Sequence, residues 1–170
     1  MGDPSVERLS LPLPGGDTLL LRRADETDRA FLEGLFKITS LRAMGLNDSA
    51  GLERLLEMQL QSRERAYAAT WPLARRWLVE HDDVPVGSLI EADDGDAVYI
   101  VDIAFIPQLQ GHGFGSAVLA EVQRRAATAG RGVSAHVMVS NVASLALFRR
   151  RGFVGAARHG DAQIGVRWQP

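Results

Sequence analysis

A strand-like run of apolar residues, AVYIVDIAFI at 97–106, leads into a glycine-rich loop and then into a helical pattern at 116–130. The run is apolar almost throughout, which is typical of a central strand covered on both faces. The loop places three glycines within the five residues 111–115. Its glycines predict either a very sharp turn or a ligand lying directly against the backbone amides.

Further elements on both sides of this unit complete the pattern. The predicted elements are a strand at 18–24, helices at 26–38 and 52–69, three strands within 74–106, a helix at 116–130, a strand at 132–139, a helix at 141–152 and strands at 153–157 and 162–169. The order β-α-α-β-β-β-α-β-α-β-β predicts an α/β (α+β) fold. We expect a mixed central sheet of about seven strands with about four helices.

The helical patterns also predict which side chains are buried. Apolar residues that recur every three or four positions share one face of a helix. The residues on these predicted faces are Phe31, Leu35 and Ile38 in the first helix, Leu52, Leu55, Leu56 and Leu60 in the second, and Val118, Val122 and Ala126 in the third.

Composition excludes several classes of protein. The 170 residues predict a single domain, and the net charge of −2 gives no basic surface for nucleic acid. The chain has no cysteine, so thiol nucleophiles, Cys-ligated zinc and disulfides are excluded. No apolar run approaches the roughly 20 residues of a membrane span, and the first ten residues do not resemble a signal peptide. We therefore expect a cytoplasmic protein that binds neither nucleic acid nor membrane.

The glycine spacing leaves two interpretations open. Gly111-x-Gly113-x-Gly115 lacks the Lys-Ser/Thr ending of a Walker loop and misses the G-x-G-x-x-G spacing of a dinucleotide fingerprint. That fingerprint usually begins a fold, whereas this loop follows several strands. A nucleotide-dependent oxidoreductase is therefore a remote alternative. The glycines alone do not distinguish an anion site from a tight turn.

Two motifs on the expected elements carry a resemblance to a known family. Residues 110–115, QGHGFG, resemble the Q/R-x-x-G-x-G/A acyl-CoA signature of the GNAT superfamily of N-acetyltransferases, and residues 105–107, FIP, resemble its V-x-P strand end. The matching downstream residues are Asn141, Ser144, Leu147, Phe148, Gly152 and Phe153. The resemblance covers nearly the whole chain, with its specific motifs within 98–153.

The resemblance implies a fold, a co-substrate and a set of binding residues. It implies that acetyl-CoA binds with its pyrophosphate on the loop amides and its pantetheine arm along the third buried strand, and that no metal is needed. The implied binding residues are Ala104, Phe105, Gln110, Gly111, His112, Gly113, Phe114, Gly115, Ser116, Asn141, Ser144 and Phe148. Asn141 would also serve as a helix N-cap.

The same resemblance suggests how the single domain 1–170 is divided. Residues 1–17 would be a lead-in, 18–95 the N-terminal and acceptor side, 96–153 the acyl-CoA-binding core and 154–170 the C-terminal strands.

Two ionisable residues interrupt apolar strands and are candidate bases. Asp102 lies within VYIVDIAF and His136 within VSAHVMV. Acetyl transfer needs a neutral amine, so a base must take a proton, and imidazole exchanges protons near neutral pH. Each residue could instead be structural, Asp102 through a bond to an arginine or a turn. Because their strands are expected to be adjacent, the two could also orient each other.

Phe148 departs from the family pattern, in which many members carry a tyrosine that protonates the leaving thiolate. A thiolate can leave without help, Tyr99 or a water could supply the proton, or the domain could bind acyl-CoA without turnover.

The resemblance as a whole predicts an N-acetyltransferase that moves an acetyl group directly to a primary amine. The alternative is an inactive acyl-CoA sensor. The acceptor would be a small-molecule or peptide amine, and the protein a monomer or homodimer.

Overall fold

In a computed structural model of the chain, residues 7–170 are described, with the backbone alone for 156–159. Within this range the chain forms eight strands and four α-helices. The strands are β1 (Arg8–Pro12), β2 (Thr18–Arg23), β3 (Arg75–His81), β4 (Val84–Asp94), β5 (Ala97–Phe105), β6 (Gly132–Met138), β7 (Val154–His159) and β8 (Gln163–Trp168). The helices are α1 (Arg29–Ala43), α2 (Glu53–Thr70), α3 (Phe114–Thr128) and α4 (Val142–Arg150).

The strands form one mixed sheet in the order β1-β2-β3-β4-β5-β6-β8-β7. Only β5 and β6 pair in parallel, and every other described pair is antiparallel. Since a parallel pair needs a crossover, α3 connects β5 to β6. The predicted α/β fold with a mixed sheet is confirmed.

The sheet has one more strand than the sequence predicts. Residues 8–12 form β1 within the predicted lead-in 1–17, of which residues 1–6 lie outside the described range. Leu9 and Leu11 alternate with polar residues and turn toward the core, and β1 pairs with β2 along its whole length. The nearby prolines and glycines favour a turn, and they obscured this short alternation.

The main core lies between the sheet and α3 with α4. Val118, Val122 and Ala126 are all buried there, as predicted from their spacing. Gly130 has a positive φ of 66° and ends α3. The helix begins at Phe114, two residues before the predicted start at Ser116.

Helices α1 and α2 cover the other face less completely. In α1 the buried residues are Leu35 and Phe36, whereas the predicted Phe31 is only partly buried. In α2 only Leu56 is buried among the described residues, and the predicted Leu55 is 45% exposed. An amphipathic pattern overestimates burial here because a wide gap separates these helices from the sheet.

The start of α1 is fixed to the sheet by a buried ion pair. Arg22 of β2 donates to both carboxylate oxygens of Asp28 at 2.8 Å and to Oε1 of Glu80 at 2.9 Å. Asp28 also accepts from the backbone amide of Asp25 at 2.9 Å. Buried charges need such partners, so this network holds α1 at the rim of the gap.

The predicted hairpin turns are present on both sides of β4. Asp82 and Asp83 have positive φ values of 51° and 60°, as a two-residue turn matched to strand twist requires. Gly95, with φ of 65°, supplies the turn between β4 and β5. Among the described residues, no helix is long and apolar enough to span a membrane.

Candidate active site

The glycine loop between β5 and α3 presents a run of backbone amides. Gly111 and Gly113 have positive φ values of 91° and 85°, a conformation that residues with a Cβ rarely adopt. Among the described atoms, no group accepts a hydrogen bond from the amides of 111–116. The last three of these amides belong to the first turn of α3, where the helix dipole adds positive potential. The loop therefore fits a phosphate group.

The third glycine of the loop has a packing role. A Cβ atom on Gly115 would lie 2.9 Å from Cδ2 of Leu147 and 3.5 Å from Cε2 of Phe105. Its missing side chain therefore lets α3 approach α4. By contrast, no described atom lies within 4 Å of a Cβ placed on Gly111. The sequence pattern does not distinguish the three glycines. In the structure, Gly111 and Gly113 shape the loop, whereas Gly115 allows the close packing of a helix.

The other loop residues anchor the loop or border it. The ring of Phe114 is buried in the core, and its centroid lies 5.9 Å from that of the His112 ring. Nδ1 of His112 lies 3.1 Å from the carbonyl oxygen of Leu109. Gln110 is exposed and Ser116 is partly buried. Their predicted contacts with a coenzyme remain predictions.

The sheet splits open beside this loop. β5 and β6 pair only over residues 97–100 and 132–135. Beyond this point, residues 101–105 have no partner on the β6 side among the described strands, although β4 still pairs with their other edge. An extended chain bearing amides can add to such an edge like a further strand. Ala104 and Phe105, predicted to bind pantetheine, lie on this free edge.

Asn141 begins α4 on the β6 side of the split. Its Oδ1 accepts a hydrogen bond from the backbone amide of Ser144 at 3.1 Å, which makes it the N-cap of α4. Its Nδ2 group donates to no other described residue. The predicted double role of Asn141, cap and ligand donor, is therefore geometrically possible.

Phe148 lies in the core. Its side chain is only 2% exposed and packs edge-on against Phe153, with ring centroids 4.9 Å apart at 86°. A buried aromatic pair of this kind stabilises the fold. The position thus has no hydroxyl group, and its ring has little surface to offer a coenzyme.

A cavity of about 740 Å³ opens on the opposite face of the sheet, between α1, α2 and strands β4 and β5. Side chains of the sheet form its floor: Ser88, Ile90, Asp102 and Ala104. Two of these residues, Asp102 and Ala104, also belong to the free edge of β5. The cavity and the split are therefore contiguous.

A β-bulge turns Asp102 toward this cavity. The pairing of β4 with β5 skips Val101, so Ile100 faces the α3 core while Asp102 lines the cavity. Its carboxylate is 23% exposed and lies 3.6 Å from the guanidinium of Arg63. Burial raises the pKa of Asp102 above its ordinary value, and the charges of Arg63 and Arg76 partly oppose this rise.

Arg63 of α2 is a site residue that the sequence did not single out. Its guanidinium lies 4.4 Å from the ring centroid of Phe36 and 5.5 Å from that of Tyr67. Its Nε atom is buried without a hydrogen-bond partner among the described residues. Burial raises the pKa of Tyr67 to about 12, so this ring remains a neutral platform. The charged run QSRERA is typical of a solvent-exposed helix face, so the sequence does not indicate that Arg63 lines a cavity.

His136 has a different partner from Asp102. The hydroxyl of Tyr99 lies 2.8 Å from Nδ1 of His136, and the Tyr99 ring stacks on Trp71 with centroids 4.8 Å apart. Burial raises the pKa of Tyr99. His136 itself is exposed where the split begins. The two candidate bases therefore bind separate groups, Asp102 with Arg63 and His136 with Tyr99.

Comparison with known families agrees with this geometry. A model described as the acetyltransferase (GNAT) family matches residues 45–153, which is more than half of the chain. The chain belongs to the GNAT family of acetyltransferases. The match extends from the α1–α2 connection through the glycine loop to Phe153, and the expected acyltransferase class is confirmed at the level of the family. Among curated protein sequences, none matches this GNAT chain significantly.

Solved structures with the same fold are distant in sequence. PaiA N-acetyltransferase from Thermoplasma acidophilum, crystallised with coenzyme A, is 13% identical with a TM-score of 0.70 over 89% of this chain and 99% of its own. An acetyltransferase from Thermus thermophilus is 21% identical, with a TM-score of 0.66 over 89% and 97%. The Escherichia coli ribosomal-protein-S18-alanine N-acetyltransferase is 17% identical, with a TM-score of 0.63 over 89% and 93%. These likenesses confirm the GNAT fold.

Among the described residues, no three His, Asp or Glu side chains are grouped as a metal site would require.

Proposed function

We propose that this protein is an N-acetyltransferase that moves the acetyl group of acetyl-CoA directly to a primary amine. The observation that carries the proposal is the position of Asp102 and Ala104. Both belong to the free edge of β5, and both line the cavity on the acceptor face. An acyl donor in the split and an amine in the cavity would therefore meet at these residues.

The donor side of the site fits acetyl-CoA. The amides of 111–116 would donate hydrogen bonds to the pyrophosphate, since they are free of other described partners and lie at a helix N-terminus. The pantetheine amides would pair with the edge of β5 around Ala104 and Phe105. The Nδ2 group of Asn141 would donate to the same arm from the other side of the split.

The proposed reaction is a single displacement. The neutral amine attacks the thioester carbonyl, so that the C–N bond forms and the C–S bond breaks. A base removes the extra proton from the nitrogen, and the thiolate of coenzyme A leaves with or without a proton. An alkylamine is only about one part in 10³ neutral near pH 7. A base must therefore also take the ammonium proton before the nitrogen attacks.

In this proposal Asp102 is the base that takes the proton from the amine, and His136 has a supporting role. Asp102 borders the cavity from which the amine arrives, and burial raises its pKa toward the range useful for a general base. The Tyr99–His136 pair, at the start of the split, would supply a proton to the thiolate. This replaces the hydroxyl that Phe148 lacks.

We further infer that residues 1–170 form one catalytic unit in the cytoplasm, acting as a monomer or homodimer on a small-molecule or peptide amine. Segment 18–95 supplies α1, α2 and β4 and hence most of the acceptor cavity. Segment 96–153 supplies the split and the loop, and segment 154–170 closes the sheet.

Release of coenzyme A with a panel of amines tests the proposal. Because the chain has no cysteine, a thiol-reactive dye reports only the released coenzyme. We expect amine-dependent thiol release together with thermal stabilisation by acetyl-CoA. Stabilisation without release by any amine would indicate the acyl-CoA sensor instead. Stabilisation by NAD but not by acetyl-CoA would contradict the proposal altogether.

A further inference from the structure

The guanidinium of Arg63 lies in the acceptor cavity with its hydrogen-bonding capacity largely unused. Its shortest ion-pair distances are 3.6 Å to Asp102 and 4.0 Å to Glu64, and its buried Nε donates to no described residue. The side chain is 28% exposed. An arginine carries five donors, and leaving them unpaired in a partly dry site is costly. The arrangement therefore favours a ligand that supplies an oxygen acceptor.

Two aromatic rings hold this guanidinium in place. The contacts with Phe36 and Tyr67, at 4.4 and 5.5 Å, restrain the guanidinium, and Arg63 lines the cavity. A stacked guanidinium is pre-organised, so less entropy is lost when it binds an oxygen. Three other arginines line the cavity. Arg29 binds Glu33 and Arg76 binds Glu64 at 2.8–2.9 Å, whereas Arg65 is exposed and, unlike Arg63, contacts no aromatic ring among the described residues.

Arg63 and Asp102 form a close pair of opposite charges that no hydrogen bond joins. Their nearest atoms are 3.6 Å apart, so a small ligand can reach both. The carboxylate would take an ammonium group and the guanidinium an oxygen attached a few bonds away. An α-amino acid and the first residue of a peptide both carry this combination, whereas a simple alkylamine or polyamine lacks the oxygen.

We propose that Arg63 selects acceptors whose α-amino group lies beside a carbonyl or carboxylate oxygen, and that it binds this oxygen while Asp102 binds the amine. The inference rests on the proposed acetyl transfer and names the acceptor class of that site. It makes Arg63 a specificity residue, whereas Asp102 acts on the reacting nitrogen.

The test compares acceptors that differ only in the oxygen or in the position of the amine. The acceptors are an alkylamine, a free α-amino acid of similar size, a tetrapeptide with a free N-terminus, and the same peptide N-terminally blocked with an internal lysine. The enzymes are wild type, Arg63→Met, Arg63→Lys and the control Arg54→Met. Arg54 is exposed on the same helix and lies outside the cavity. Methionine retains packing on the two rings.

We expect kcat/KM to fall at least tenfold more for the two α-amino acceptors than for the alkylamine when Arg63 becomes Met. Arg63→Lys should recover only part of this loss, since a lysine lacks the planar fork. Arg54→Met should behave as wild type. Comparison of kcat/KM for the free amino acid with that for the peptide identifies which of the two the site accepts. Equal losses for all acceptors, or a wild-type preference for the alkylamine or the lysine, would overturn the inference.

A binding measurement separates this inference from the proposed function. Calorimetry with the α-amino acid or the peptide, in the presence of coenzyme A, requires no turnover. Wild type should bind at least one of them at least tenfold more tightly than Arg63→Met does. Such a loss without turnover would leave the inference standing and the acetyl transfer refuted. Identical binding by both enzymes, or binding by neither, would refute the inference, while turnover of the alkylamine would leave the acetyl transfer intact.

Discussion

At Asp102, the chemistry proposed for the site conflicts with the stability of the fold. A carboxyl group in a strand that is otherwise apolar loses hydration, and the 3.6 Å separation from Arg63 is too long for a hydrogen bond. The raised pKa expresses this conflict: the folded protein binds a proton at this carboxyl more tightly than the unfolded chain does.

We therefore predict that Asp102→Asn stabilises the protein near neutral pH. Because the folded pKa lies above the ordinary value of 3.8, the ionised carboxylate opposes folding, and its cost sets in as pH rises through these two pKa values. Denaturant unfolding at several pH values measures this effect. The free energy of unfolding of the variant should exceed that of wild type at pH 7, and the difference should shrink below pH 4. A less stable variant at pH 7 would show that the pair with Arg63 outweighs the cost of burial.

The two ionisable candidates should also differ in kinetics. We predict that Asp102→Asn lowers kcat/KM by about 10²-fold or more, as loss of a general base does. His136→Ala should cost less, since a thiolate is an acceptable leaving group. The kcat/KM of wild type should rise with pH, with an apparent pKa above the ordinary value of an aspartate. Of the two variants, only Asp102→Asn should lose this rising limb of the pH profile. A larger loss in His136→Ala, with the limb missing, would instead identify the histidine as the base.

Single residues were predicted from sequence where they break a pattern. Asp102 and His136 stand out because they interrupt apolar strands, and the structure places both beside the split. Arg63 does not stand out, because it lies in a charged helical run whose one buried direction depends on where α1 packs. Contacts between distant segments decide such cases, and no local pattern encodes them.

The β5–loop–α3 element combines the two sources of coenzyme affinity that we propose. Its strand ends in an unpaired edge and its helix begins with unpaired amides. Gly113 joins them with a φ of 85°, and the nearest described atom to a Cβ placed there is Cδ of Pro14 at 4.0 Å. A side chain at this position would therefore strain the backbone without clashing with the fold.

We predict that Gly113→Ala weakens acetyl-CoA binding at least tenfold while the protein remains folded. The positive φ costs roughly 1–2 kcal/mol for a residue with a Cβ, and relief of this strain would displace the loop amides. Gly130→Ala is the matched control, because Gly130 has a φ of 66° with open space around it at the other end of α3. Calorimetry should show unchanged affinity in the control. Equal affinities in both variants would place the phosphate site elsewhere.

Whole elements were predictable to the extent that their periodicity was long. Helix α3 has four turns of regular apolar spacing, and its buried face matches the prediction. Strand β1 has five residues beside prolines and glycines, too few to outweigh the turn signals. The bulge at Val101 could not be predicted, because strict alternation would put Asp102 on the same face as Ile100.

At the scale of the whole molecule, the sheet separates the two proposed binding surfaces, and the split joins them. Helices α3 and α4 pack on one face and contribute the loop and Asn141, whereas α1 and α2 enclose the cavity on the other. The parallel pair β5–β6 is the only described place where the sheet opens between its faces. We propose that acetyl-CoA lies in this opening.

Hydrogen–deuterium exchange with and without coenzyme A tests this placement. The amides of 111–116 and the free edge 101–105 have unused hydrogen-bonding capacity within the described structure, so a ligand that pairs with them must slow their exchange. We predict at least tenfold slower exchange in peptides covering these segments, and unchanged exchange in the exposed hairpin turn Asp82–Asp83. Protection confined to other segments, or none at saturating coenzyme A, would show that the coenzyme binds elsewhere.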